Sequence, residues 1–353
     1  LTHSEFIYFR WNIYFAPSLT LLAALSAFYI GRGKAMVITS LSLLGNSINA
    51  LLDPLFIFGW KGVIPSLGIK GAAIATGIGI FVQVVICFGM LLSKSNRARY
   101  NTGAYHFKKA AFWKCIRVGI PPAAFITLEL LGWAVFYWMM RQMSEVHILV
   151  TSVCQSILYL FIFFGLALEK GAAAIAGNLI GAQRSHLVAR VLWSGAKLVA
   201  LFSVVVAIFF VVYPDVMITW FFSHSDMLGA DIAMSPAALM RLIRTGLIFT
   251  AVYLVLETLR WVIGGILTAA GDTLFLLVAG TASVWLCMLV PTYWFVMRAG
   301  ASIERAFQIW VIYAFLATAV YVARFLQGKW KERSLIEFDE VEEEAIPSEE
   351  TAS

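Results

Sequence analysis

The chain has 353 residues, 61% of them hydrophobic and only 13% charged, with a formal net charge of +6. Soluble globular chains carry about a quarter charged residues, and a mean hydropathy of +0.85 is more apolar character than one aqueous core can hide. A soluble enzyme is excluded on that ground, and the basic residues sit in short loops between apolar blocks, where they report membrane topology rather than nucleic acid.

Blocks of about 20 apolar residues match about 30 Å of hydrocarbon, and nine are predicted, at about 6–30, 36–58, 69–92, 119–141, 147–181, 191–213, 243–269, 273–297 and 304–326. Gly31, Arg32, Gly33 and Lys34 break the first from the second, and Pro65, Ser66 and Gly68 break the second from the third. The second span carries Asp53 in NSINALLDPLFIFG, one helical turn after Asn49. An amide and a carboxylate at that spacing share a face and can share a proton or coordinate a small cation. Pro54 cannot donate its N–H, which frees the carbonyl near Ala50 as a further acceptor. The blander alternative is an Asp that only bonds a neighbouring helix. In the third span Gly68, Gly71, Ala72, Ala75 and Gly79 form a ridge for close helix packing.

The loop from Lys94 to Arg117 holds seven basic residues and no acid. Beyond it, Glu129 lies mid-span in PPAAFITLELLGW, with nothing basic on its own helix within reach. A carboxylate in hydrocarbon costs about 2.5–3.5 kcal/mol on insertion scales, so such a residue marks function by default. A proton carrier needs a carboxyl of this kind; a permanently neutral Glu bonding across helices is the alternative. In the fifth span Glu169 and Lys170 are adjacent, point about 100° apart and are not expected to pair; snorkelling at the interface accounts for them. In the seventh span Glu257 lies three residues before Arg260, so an intrahelical pair is the structural alternative to a coupling role, with Arg260 as a modulator. The aromatic residues could line a cavity for an organic, often cationic compound, but the sequence alone selects no set of them. Cys87, Cys115, Cys154 and Cys287 have no metal-ligand spacing, and no nucleotide loop, HExxH or GxSxG pattern occurs. No enzyme, metal site or cofactor is expected beyond a coupling ion.

Arg32 and Lys34, the 94–117 loop, Arg184 and Arg190, and the residues after the last span all fall on one side. The positive-inside rule makes that side, with the C-terminus, cytoplasmic. Asp215, Asp226 and Asp231 fall on the other side, with Arg241 and Arg244 beside them. Residues 337–353 form an acidic tail. There is also an internal repeat: aligning Gly33 with Gly271 sets an offset of 238 and brings Pro54 within one residue of Pro291. Transporter halves repeat, so a second half beginning near Lys108 implies a first half starting about 130 residues before Leu1, with room for about three further spans.

At these residues the chain resembles the multidrug and toxic compound extrusion (MATE) family. The likeness is carried by NSINALLDPLFIFG and PSLGIKGAAIAT, then by GIPPAAFITLE and AIAGNLIGAQR, and covers about residues 6–326. It implies an all-α membrane protein, about nine helices of a twelve-helix, two-lobe transporter. Residues 1–93 would be half of the N-lobe, 94–118 a basic cytoplasmic linker, 119–326 the C-lobe and 327–353 a cytoplasmic tail without fixed structure. It further implies a cation-coupled antiporter, driven by H⁺ or Na⁺, that exports organic compounds by alternating access. Asn49 and Asp53 match the family's N-lobe cation site; Glu129 and Glu257 match its C-lobe acids, so Na⁺ could sit at either group. Arg260 departs from the common pattern. The expected setting is a monomer in a plasma membrane, of the bacterial inner-membrane type, with a small drug-like substrate and no nucleic acid. A lipid or lipid-linked oligosaccharide flippase, hinted at by Arg260, is the nearest rival, and a non-transporting membrane protein a more distant one.

Overall fold

A computed structural model describes residues 3–60, 63–103, 106–223 and 235–331. They form eleven α-helices: α1 (His3–Gly31), α2 (Ala35–Ile57), α3 (Ile69–Leu91), α4 (Lys94–Tyr100), α5 (Lys109–Met143), α6 (Glu145–Gly181), α7 (Val188–Ala207), α8 (Pro214–Ser223), α9 (Pro236–Ala269), α10 (Thr273–Ala282) and α11 (Ile303–Leu326). Among the described residues nine helical segments are long and apolar enough to cross a membrane, in the order read from the sequence. Asp226, Asp231 and the acidic tail lie outside the described residues.

Two features add detail to the predicted spans. The stretch expected as a linker, 94–118, contains α4 and the first turns of α5, which starts at Lys109. The sixth and eighth spans are not α-helical throughout: α7 runs into a π-helical segment at Ile208–Val212, and α10 into two more, Ser283–Leu289 and Thr292–Arg298. Helix starts follow local chemistry. Ser144 accepts from the His147 N–H at the start of α6, and Ser235 accepts from Ala238 N–H before Pro236 opens α9, each satisfying a donor the helix leaves free.

The chain divides into two compact units between Lys109 and Ala110. In the first, α3 packs against both α1 and α2. The small-residue ridge makes this possible: a Cβ on Gly71 would lie 2.4 Å from the Phe56 carbonyl oxygen, and one on Gly79 would lie 2.7 Å from that of Gly45. In the second unit α9 is central, packed by α6, α7 and α11. Its core is aromatic and aliphatic, with Phe136, Phe307, Trp310 and Tyr313 almost fully buried. Arg244 donates to both carboxylate oxygens of Asp215 at 2.7 Å, so the arginine on the acid-bearing side fastens α9 to α8.

The two turns that the sequence offset aligns share one backbone form, a common way for a helix to end. Gly33 and Gly271 both hold positive φ, +71° and +77°, a conformation that favours glycine. Each turn closes with the same two bonds: Gly33 N–H to Ile30 O and Lys34 N–H to Tyr29 O in the first, Gly271 N–H to Thr268 O and Asp272 N–H to Leu267 O in the second. Every partner is displaced by the offset of 238 read from the sequence.

Candidate functional site

The predicted residues fall into two groups, one in each unit. In the first, Asn49 donates to Asp53 Oδ1 and to Thr76 Oγ1 of α3, both at 3.3 Å. The helical spacing of Asn49 and Asp53 is what aligns them. Thr76 arrives because α2 and α3 approach closely at Gly79, whose Cβ would also lie 3.3 Å from the Cβ of Asn49. Asp53 and Asn49 are half-buried. Thr76 was not singled out by the sequence reading, although it is one of few polar residues in that span.

The second group is the more enclosed. Glu257 and Arg260 share a face of α9, and their side chains are each 2% exposed. Arg260 Nε donates to Glu257 Oε1 and Oε2 at 3.1 and 3.0 Å, and its Nη2 also contacts Glu257 Oε1. The same Nη2 reaches Glu129 Oε1 on α5 at 3.3 Å, and Nη1 donates to the Tyr321 hydroxyl on α11 at 3.3 Å. Glu129 is thus not without a cation, as its own helix suggested; its partner comes from α9. Burying three charges together is costly unless they are paired and hydrogen-bonded, and here one guanidinium serves two carboxylates.

The π-helical segment after α10 holds α5 in place around Glu129. Trp285 Nε1 donates to the Leu128 carbonyl at 3.2 Å, and a Cβ on Gly132 would lie 2.6 Å from Val284 Cγ1. On the next turn Phe125 lies against Gly280, where a Cβ would meet its ring at 2.3 Å. These contacts bracket Glu129 above and below. From the other side Thr318 of α11 donates to the Leu256 carbonyl, fixing α9 beside Glu257 at 3.1 Å.

The cluster forms part of the wall of a cavity of about 510 Å³ within the second unit. Trp133, Tyr137, Tyr159, Tyr253, Trp310 and Tyr321 face it, which supplies the aromatic set the sequence could not select. The signal was present for one of them: Tyr313, Ala317 and Tyr321 are each four residues apart and buried on one face of α11. Glu169 and Lys170 also face the cavity. Contrary to the expectation, they are paired, with Lys170 Nζ 3.3 Å from Glu169 Oε1. Their Cβ atoms diverge, but the long, largely exposed lysine stem curls back. Three carboxylates against two cationic side chains leave the cavity one formal negative charge. Among the described residues no group of three or more His, Cys, Asp or Glu is arranged to hold a metal ion.

Comparison with known proteins agrees with this architecture. The MatE protein-family model matches residues 122–294, which include Glu129, Glu257 and Arg260. A probable multidrug resistance protein NorM of Thermotoga maritima is 24% identical over 331 residues, covering 92% of this chain and 67% of the relative. An uncharacterized transporter of Bacillus subtilis, YisQ, is 23% identical over 299 residues, covering 83% of this chain and 60% of the relative. Among solved structures, a MATE in complex with MaL6 superposes with a TM-score of 0.77 at 16% identity, covering 93% of this chain and 70% of the other. An outward-facing multidrug resistance MATE transporter gives 0.73 at 18% identity, with 93% and 71% covered. A third curated relative, a probable NorM of Bacillus cereus, is covered over 57% of its length. With its helical spans, its match to the MatE model over residues 122–294 and the fold it shares with MATE structures, the chain is similar to the multidrug and toxic compound extrusion family of membrane transporters.

Proposed function

We propose that this protein is a cation-coupled antiporter that exports organic, often cationic compounds by alternating access. The observation that carries the reading is the buried Glu129–Arg260–Glu257 cluster in the wall of an aromatic cavity with one formal negative charge. Aromatic faces attract organic cations, and a cavity short of one positive charge favours either a proton or Na⁺, or a cationic substrate. Coupling requires only that these ligands favour different arrangements of the helices. The multidrug resistance named for the relatives supports a drug-like substrate.

The assignment extends to the whole chain. Residues 1–93 contribute half of an N-lobe, with Asn49 and Asp53 as its cation site, 94–118 link the lobes, 119–326 form the C-lobe, and 327–353 are a cytoplasmic tail. The protein works as a monomer in a bacterial-type plasma membrane, with basic loops inside. The flippase alternative loses its motive, because the Arg260 donors that would bind a diphosphate head group are committed to Glu257, Glu129 and Tyr321.

The test is efflux of an ethidium-type cation from vesicles carrying the full-length protein under an imposed pH or Na⁺ gradient. Gradient-driven efflux that Glu129→Gln abolishes, with the variant still inserted, is the expected result. Loss with Asp53→Asn instead would move the coupling site to the first group. Normal efflux by both variants would leave the acids structural and end the antiporter reading.

A further inference from the structure

Arg260 lies where a free cation would sit between Glu257 and Glu129. Its Nε spans both Glu257 oxygens, its Nη2 bridges Glu257 to Glu129, and its Nη1 is held by Tyr321. Rings close over it, with its Cζ 5.2 Å from the Tyr321 centroid and 6.0 Å from that of Phe125. A guanidinium does not lose its charge in proteins, and this one is covalently tethered, so it cannot leave during a transport cycle.

We infer that Arg260 is the ion-selectivity determinant of this site: it replaces a metal cation at Glu257, leaves Glu129 as the single exchanging carboxylate, and restricts coupling to protons. This rests on reading the cluster as the coupling site. A hard metal cation must find several oxygens to replace its water. Here both Glu257 oxygens already accept N–H bonds, and one oxygen of Glu129 does the same. The N–H groups on that side repel a second cation. A proton needs one oxygen, and Glu129, with its side chain 20% exposed to the cavity, offers it. The proton is taken from water on one side of the membrane and returned to water on the other, with the Arg260–Glu129 contact released while Glu129 is neutral. Glu257 is then a positioning residue, holding Arg260 in reach of Glu129.

Among the described residues, the other ionisable groups facing the cavity put no second cation against Glu129. Glu169 and Lys170 of α6 pair with each other. Tyr137, Tyr253, Tyr313 and Tyr321 are phenols, uncharged at physiological pH.

The experiment measures binding of ²²Na⁺ to the purified full-length protein in detergent, with KCl of equal ionic strength as reference. Wild type is expected to hold no more Na⁺ at this site than Glu129→Gln. Arg260→Gln opens both carboxylates to oxygen-ligated Na⁺ and is expected to bind it more tightly on the order of tenfold, a usual size for coupled sites. The gain disappears again in Glu257→Gln/Arg260→Gln. Equal Na⁺ binding by wild type and Arg260→Gln, reduced in both by Glu257→Gln, would overturn the inference. Should Arg260→Gln not fold, the double variant, which leaves only the partly exposed Glu129 without its cation, carries the second measurement: proton release on adding a cationic substrate in weak buffer. Release kept by the double variant and lost by Glu129→Gln supports the inference; the reverse pattern makes Glu257 the exchanging acid and overturns it. Because Na⁺ binding is read without transport, absent efflux would defeat the functional proposal while this measurement still decides the role of Arg260.

Discussion

Breaking the Glu257–Arg260 contact from either end leaves a charge without its main partner where each side chain is 2% exposed. Removing one member of a buried pair costs about 3–5 kcal/mol, whereas replacing both by uncharged groups of similar volume can be close to neutral. Glu257→Gln alone should therefore lower the unfolding midpoint clearly, and Glu257→Gln/Arg260→Met should restore part of the loss, with Glu129 then lacking its cation, read by thermal melting in one detergent. A double variant no more stable than the single one would mean that the pair is not the source of the strain. The pair itself was legible in the sequence, because three residues on a helix fix a shared face. The contact with Glu129 was not, since it joins residues 131 apart and exists only because α5 packs on α9. The Glu169–Lys170 pair was misread for a different reason: spacing fixes where Cβ atoms point, not where a four-carbon stem can return.

At the scale of elements, packing tolerances distinguish neighbouring glycines on α9. A Cβ on Gly265 would lie 2.3 Å from the Glu169 carbonyl oxygen of α6, while one on Gly264 would meet Tyr321 Cε1 at an ordinary 3.5 Å. Overpacking of this kind costs about 1–3 kcal/mol. Gly265→Ala should push α6 from α9, lower the melting midpoint and impair efflux, because Glu169 belongs to the cavity wall. Gly264→Ala should pass both assays near wild type. Similar behaviour of the two would sink the close-approach account. Helix order and approximate bounds could be read from hydrophobic length, since a span must satisfy its own backbone in lipid. The π-helical segments at Ser283–Leu289 and Thr292–Arg298 could not. The wider turns of the first sit where Trp285 and Val284 meet α5, a tertiary circumstance that composition does not record.

For the whole molecule, the reading to be checked is orientation. Basic loops inside predict that Cys115, exposed near Lys114 and Arg117, faces the cytoplasm. A membrane-impermeant maleimide should label it in inverted vesicles and not in intact cells, whereas the buried Cys87 and Cys154 should stay unlabelled in both. Labelling of Cys115 from outside would invert the topology. The family match and the repeat were legible at this scale because both are sequential patterns. The cavity was not, because it is assembled from α5, α6, α9 and α11 in an arrangement no single segment encodes.

The two glycine turns share a backbone but are fastened with opposite charges. At the first, Arg32 bonds Asn96 at 3.1 Å and lies 4.0 Å over the Tyr100 ring. At the second, fully buried Asp272 takes two bonds from Arg324, at 2.6 and 3.1 Å. Local opening follows the weaker fastening. Amide protons at Ala35, Met36 and Val37 should therefore trade for deuterium sooner than those at Thr273, Leu274 and Phe275, so that two copies of one joint have come to differ in how readily they breathe.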